Sequence, residues 1–144
     1  MSIKDLVLKT RSYRRFDESS RIDYGTLENL VDLARLSASG ANRQPLKFVI
    51  FNAAEDCEKI FPFLAWAGYL PDWPGPEEGE RPSAYILILG DTRLKPDFGV
   101  DPGIAAQSIL LGAVERGLGG SSTSRHRRDG LPAGRLAGGP DPAG

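Results

Sequence analysis

Ala84-Tyr85-Ile86-Leu87-Ile88-Leu89 is apolar at every position and is stopped by Gly90-Asp91. A run this short and this apolar on both faces suits a strand at the centre of a sheet, with helices over each side. Leu46–Phe51 reads as a second strand, opened by Lys47 and Phe48. The covering helices are also legible. Ser2 can cap a first helix, with Asp5 in the third position and Ile3, Leu6 and Val7 on one face. Asp23 can cap a second, in which Leu27, Leu30, Val31 and Ala34 form an i, i+3, i+4, i+7 stripe ending near Ser37. A third runs over Ala54–Ile60, before Pro62. The segment Ile104–Arg116 reads as a nearly all-apolar helix, central and buried, whose small residues Ala105, Ala106, Ser108, Gly112 and Ala113 allow close approach to another helix.

A chain of 144 residues fits one domain, with no internal repeat. Charges nearly cancel at net −1, so no broad basic field is present to attract nucleic acid, and any anion site must be local. The apolar runs fall far short of the ~20 residues a membrane helix needs. Met1-Ser2-Ile3-Lys4-Asp5 does not open a signal peptide, and the expectation is a cytoplasmic protein without membrane or nucleic-acid partners. Cys57 is the only cysteine, which excludes an intrachain disulfide and a cysteine metal site and reads as a buried, inert thiol. His126 is the only histidine and lies in an atypical tail. The body therefore lacks the usual general base and zinc ligand, so no catalytic side chain and no metal are expected, and a cofactor would carry any chemistry.

Two stretches carry chemical potential. Arg11-Ser12-x-Arg14, directly after the first helix, offers forked donors and a hydroxyl suited to a phosphate monoester. A solvated basic turn is the plain alternative. Ser39-Gly40-Ala41-Asn42-Arg43-Gln44-Pro45 pairs two carboxamides with a glycine, groups able to read the edge of a flat heterocycle; an Asn/Gly turn between helix and strand explains the same residues. The Pro- and Gly-rich stretch 71–82 excludes regular structure.

Taken in order, "RSYRRF", "ARLSASGANRQPLKFVIF" and "DPGIAAQSILLGAVERGLGG" resemble successive landmarks of the flavin-dependent nitroreductase family, over residues 1–120. The resemblance implies an α+β sandwich, a central and mainly antiparallel sheet flanked by helices, in an intertwined homodimer with FMN at the interface. It implies that Arg11, Ser12 and Arg14 meet the FMN phosphate and ribityl chain, with Arg15 as readily a surface residue. Ala38, Ser39, Gly40, Asn42 and Gln44 would lie by the isoalloxazine edge or its chain, some reaching the partner subunit's flavin. Trp66, Tyr69 and Trp73 fall in the region that borders the substrate channel in many members, where simple packing is the alternative. The implied activity is an oxidoreductase that passes hydride from NAD(P)H through FMN to a nitroaromatic, a quinone or a similar small-molecule acceptor. An inactive remnant without flavin, and a specialised or non-redox flavin-binding member, are the other readings.

After Gly120 the resemblance ends. Residues 121–144 contain no Val, Ile, Phe, Tyr or Trp and are rich in Gly, Pro, Arg and Ala. Such a stretch cannot bury enough surface to fold, and disorder is expected there, leaving an incomplete domain at 1–120 whose C-terminal part is missing. Its bias is that of a GC-rich gene read out of frame, and a frameshift or truncation is the corresponding expectation. Arg125, Arg127 and Arg128 are a poor replacement phosphate site, because docking them would forfeit chain entropy.

Overall fold

The computed structural model describes residues 1–123 and the backbone of Arg135 and Leu136. Helix α1 spans Ile3–Lys9 and opens with the capping box expected of Ser2 and Asp5: the Asp5 amide donates to Ser2 Oγ at 3.2 Å and the Ser2 amide to Asp5 Oδ2 at 2.9 Å. Helix α2, Tyr24–Leu36, is capped by Asp23, which accepts from the Thr26 amide at 2.9 Å; its Leu27, Leu30, Val31 and Ala34 are all buried. Strand β1 is Leu46–Phe51, helix α3 is Ala54–Ile60 with a 3-10 turn at Phe61–Phe63, strand β2 is Tyr85–Gly90, helix α4 is Asp101–Glu115 and strand β3 is Arg135–Leu136.

The sheet has the order β2-β1-β3 and both pairings are antiparallel, with Phe48 opposite Ile88, Ile50 opposite Ile86 and Val49 opposite Leu136. Alternation along β1 splits its side chains between two layers. Phe48 and Ile50, with Ile86 and Ile88 of β2, pack against Leu27, Leu30, Val31 and Ala34 of α2 and Ala105 and Ala113 of α4. Val49 and Phe51, with Tyr85 and Leu87, pack against Ile60 and Leu64 on the other face. Helices thus lie over both faces of an antiparallel sheet, the α+β sandwich that the resemblance implied.

Three details differ from the sequence reading. The apolar run in β2 is not central: β1 is the middle strand, and β2 is an edge strand among the described residues. Apolarity on both faces reports the layers above and below a strand, not its place in the hydrogen-bonding order. Helix α4 begins at Asp101, three residues before Ile104, because Pro102 sits in the first turn, where a missing N–H leaves nothing unpaired. Within one chain, α4 is not wholly buried either. Asp101, Ala105, Gly112 and Ala113 are, and its remaining faces are half-covered or open. Gly112 permits the close α2 contact, since a Cβ there would stand 2.3 Å from Leu33 Cδ1 and 3.0 Å from Leu30 Cδ2. On α1, Leu6 is half-buried while Ile3 and Val7 face outward.

In the tail, Ser121–Thr123 carry no regular structure, while Arg135–Leu136 pair with β1 where no strand was expected. The rest of that segment, including His126, Arg125, Arg127 and Arg128, lies outside the described residues.

Candidate functional site

Helix α2 ends where the Ser37 side chain turns back, donating to the Leu33 carbonyl at 2.8 Å and meeting Ser108 Oγ of α4 at 2.6 Å. The chain then enters a 3-10 turn at Gly40–Asn42. Ala41, Asn42 and Gln44 have φ of 50°, 53° and 51°, and only one other described non-glycine residue, Ala67, has positive φ. Asn tolerates this left-handed region, but Ala and Gln are strained there by about 1–2 kcal/mol each. Hydrogen bonds within the loop hold the shape. The Asn42 amide donates to the Ser39 carbonyl at 2.9 Å, the Gln44 amide to Ser39 Oγ at 3.0 Å, and Gln44 Nε2 to Asn42 Oδ1 at 2.8 Å.

Gly40 plays a different part from its neighbours. No left-handed φ is needed at Gly40; what it permits is close approach, since a Cβ there would stand 2.7 Å from Lys95 Nζ. Its amide donates to Asp101 Oδ1 at 2.8 Å. Asp101 is 1% exposed and its second oxygen faces Lys95 Nζ at 3.4 Å. Sequence reading missed this residue; the available signal was an acidic group opening an otherwise apolar helix.

A cleft of about 270 Å³ opens beside the loop, walled by Arg35, Ser39, Gln44, Lys47, Phe48 and Asp101 among others, with Ala38 at its rim. Ala38, Gly40, Asn42 and Gln44 are exposed and Ser39 is half-buried, so the carboxamides are reachable from solvent.

The arginine segment is held as an extended strand-like strip. Ser12 bridges Gly120 in parallel, the Tyr13 amide donates to the Gly120 carbonyl at 3.1 Å, and the Phe16 amide donates to the Glu80 carbonyl at 2.8 Å. The three guanidinium groups are not equivalent. Arg15 is committed to Glu80, with Nε at 2.9 Å from the carboxylate, and this pairing lowers the Glu80 carboxyl below its ordinary range. Arg14 Nη1 donates to the Ser12 carbonyl at 3.1 Å. Arg11 is exposed and makes no side-chain hydrogen bond or ion pair among the described residues. No hydrogen bond or ion pair among the described residues joins the arginines to the 38–44 loop, and Arg11, Ser12 and Arg14 do not wall the cleft.

Trp66 and Tyr69 lie apart from that cleft. Trp66 packs on Phe61 with ring centroids 5.8 Å apart, and covers Gly75, where a Cβ would stand 2.5 Å from its Cδ1. Tyr69 is fully exposed. Cys57 is buried, its thiol donating to the Phe51 and Ser83 carbonyls at 3.7 and 3.5 Å, and burial pushes its pKa up. Among the described residues no group of three or more His, Cys, Asp or Glu is placed to hold a metal, and no helix is long and apolar enough to cross a membrane.

The model of the nitroreductase family matches residues 7–130. The chain belongs to the nitroreductase family. Solved structures of similar fold include a candidate NADH dehydrogenase/NAD(P)H nitroreductase from Parabacteroides distasonis, with TM-score 0.64 and 21% identity over 81% of this chain and 64% of that one. A nitroreductase family protein from Clostridium novyi has TM-score 0.61 and 23% identity, covering 81% of this chain and 66% of that one. A candidate nitroreductase from Exiguobacterium sibiricum, solved in complex with FMN, has TM-score 0.72 and 17% identity, covering 90% and 77%. At these identities the likeness establishes the nitroreductase fold. The chain spans just under two thirds of the length of the first two of these structures. No curated protein matches it in sequence.

Proposed function

We propose that this nitroreductase family chain is an FMN-dependent oxidoreductase that works as a homodimer, taking hydride from NAD(P)H and passing it to a small acceptor such as a nitroaromatic or a quinone. The observation that carries the reading is the strained, self-bonded 38–44 loop beside an open cleft. Backbone strain concentrates at ligand sites, and here it aims two exposed carboxamides outward.

The donor set fits the cofactor. Arg11, with no side-chain partner among the described residues, and Arg14 and Ser12 suit a phosphate monoester. Ser39, Asn42 and Gln44 suit the polar edge of a planar ring. FMN when bound supplies the hydride chemistry, so no side chain needs to act as acid or base. The chain's residues bind and orient the cofactor, and Lys47, exposed on the cleft wall, offers a cation to a negatively charged ring, Arg35 there being paired with Asp32.

Homodimerisation is supported by apolar surface that one chain leaves open. Ile3, Val7 and Leu36 are 76%, 48% and 67% exposed, and Leu36 with Leu6, Leu33 and Leu111 walls a groove of about 380 Å³ that Ser37, Ser108 and Glu115 also line.

The test is the visible spectrum of the purified chain after addition of FMN and gel filtration. A flavin spectrum that elutes at the dimer position, and bleaches anaerobically with NADH or NADPH, is the expected result. A colourless protein overturns the reading and leaves the fold without this activity.

A further inference from the structure

We infer that Asp101 is the positioning residue of the 38–44 loop, fixing the conformation in which Asn42 and Gln44 face a ligand; the inference rests on the flavin reading of that loop. Asp101 is the only charged residue among the described residues that is fully buried, and it lies 61 positions from Gly40 in sequence. A desolvated carboxylate persists only when it is paired and its lone pairs are used. Here Oδ1 accepts the Gly40 amide at 2.8 Å and Oδ2 faces the Lys95 ammonium at 3.4 Å.

The other hydrogen bonds of residues 39–44 close the loop on itself: Asn42 to Ser39, Arg43 to Gly40, and Gln44 to Ser39 and Asn42. The Gly40 bond to Asp101 is the one that ties it to α4. Left-handed Ala41, Asn42 and Gln44 follow immediately, and strained conformations of this kind last only where the surroundings over-determine them. Lys95 completes the device. Its ammonium pairs with Asp101 beneath the loop and lies in the space a side chain at position 40 would enter. Asp101 thus acts through the Gly40 amide, and the residues it presents make the ligand contacts.

Two measurements test this. In the ligand-free wild-type chain, the Gly40 amide should exchange with deuterium about tenfold or more slowly than that of Ala41, as a bond to a carboxylate requires. Exchange at the Ala41 rate overturns the inference without any variant having to fold. Second, Asp101→Asn keeps an oxygen acceptor for Gly40, whereas Asp101→Leu has similar size and none. Titrated by flavin fluorescence quenching, D101N should bind FMN within about threefold of wild type, and D101L about tenfold or more weakly. Riboflavin should lose as much as FMN, because the ring loop and not the phosphate site has changed. A D101L protein that unfolds at the wild-type temperature and binds flavin as tightly as wild type overturns the inference. A wild-type chain that binds no flavin overturns the flavin reading alone, and the Gly40 exchange rate still decides the anchor.

Discussion

Removing the Arg11 guanidinium offers a clean perturbation of the proposed phosphate site. The side chain is exposed and makes no hydrogen bond or ion pair among the described residues, so Arg11→Ala gives up nothing that holds the fold, and stability should stay within about 0.5 kcal/mol. A hydrogen bond to an ionised partner contributes about 1.5–3 kcal/mol, and exposure argues for the lower end, which is about tenfold in Kd. Arg14 already donates to the Ser12 carbonyl at 3.1 Å, so part of its capacity is used before a phosphate arrives. Arg14→Ala should lose less, about threefold. Arg15 is paired with Glu80, and Arg15→Ala should leave affinity nearly unchanged. The assay is flavin fluorescence quenching with FMN and, in parallel, with riboflavin, which shares the ring and ribityl chain but carries no phosphate. R11A should weaken FMN binding and leave riboflavin binding as it is, and the FMN difference should shrink as salt screens the charge. Equal losses for both ligands, or a larger loss from R15A than from R11A, would refute the assignment of this phosphate role to Arg11.

Leu30 is 3% exposed between α2 and α4, and Leu30→Ala should lower stability by about 2–5 kcal/mol, read as a fall in the urea midpoint with unchanged slope. Leu36, on the same helix but 67% exposed, should behave differently: Leu36→Ala should barely move the fold but weaken the dimer in sedimentation, and an unaffected dimer would remove the α1, α2 and α4 groove from the proposed interface. Stability should fall in acid, because hydrogen bonds to ionised Asp5, Asp17, Asp23, Glu80 and Asp91 hold all five below their ordinary values, Asp91 to about 2 through the Arg93 guanidinium. Groups lowered in the folded state stabilise it above their unfolded pKa, so the loss should run from about pH 4.5 down to about pH 2. Burial raises Cys57 and Tyr85 instead, so stability should also decline as pH climbs past their ordinary 9.0 and 10.0. Thermal midpoints from pH 2 to 11 read both arms, and a flat profile below about pH 4.5 would contradict the first.

Features set within a few residues of one another were legible in the sequence. Ser2 with Asp5 and Asp23 with Thr26 cap their helices through bonds spanning three positions. The stripe at Leu27, Leu30, Val31 and Ala34 is a matter of helical period, and Ser37 to Pro45 announced a loop by composition. The order of the three quoted motifs sufficed to suggest the nitroreductase family. The pairing of Arg15 with Glu80, 65 positions away, was not legible there.

Tertiary structure decided what depends on distant segments meeting. Strand apolarity could not tell β1 from β2 as the middle of the sheet, because both are covered on two faces and only pairing distinguishes them. Left-handed Ala41 and Gln44 run against their own preferences, so no local rule would have placed them there. Asp101 precedes a Pro-Gly pair in the sequence, and only folding brings Gly40 and Lys95 to its two oxygens. Caps and periodicities are short-range and repeat along the chain; a buried charge finds its partners only after the helices and the sheet have closed around it.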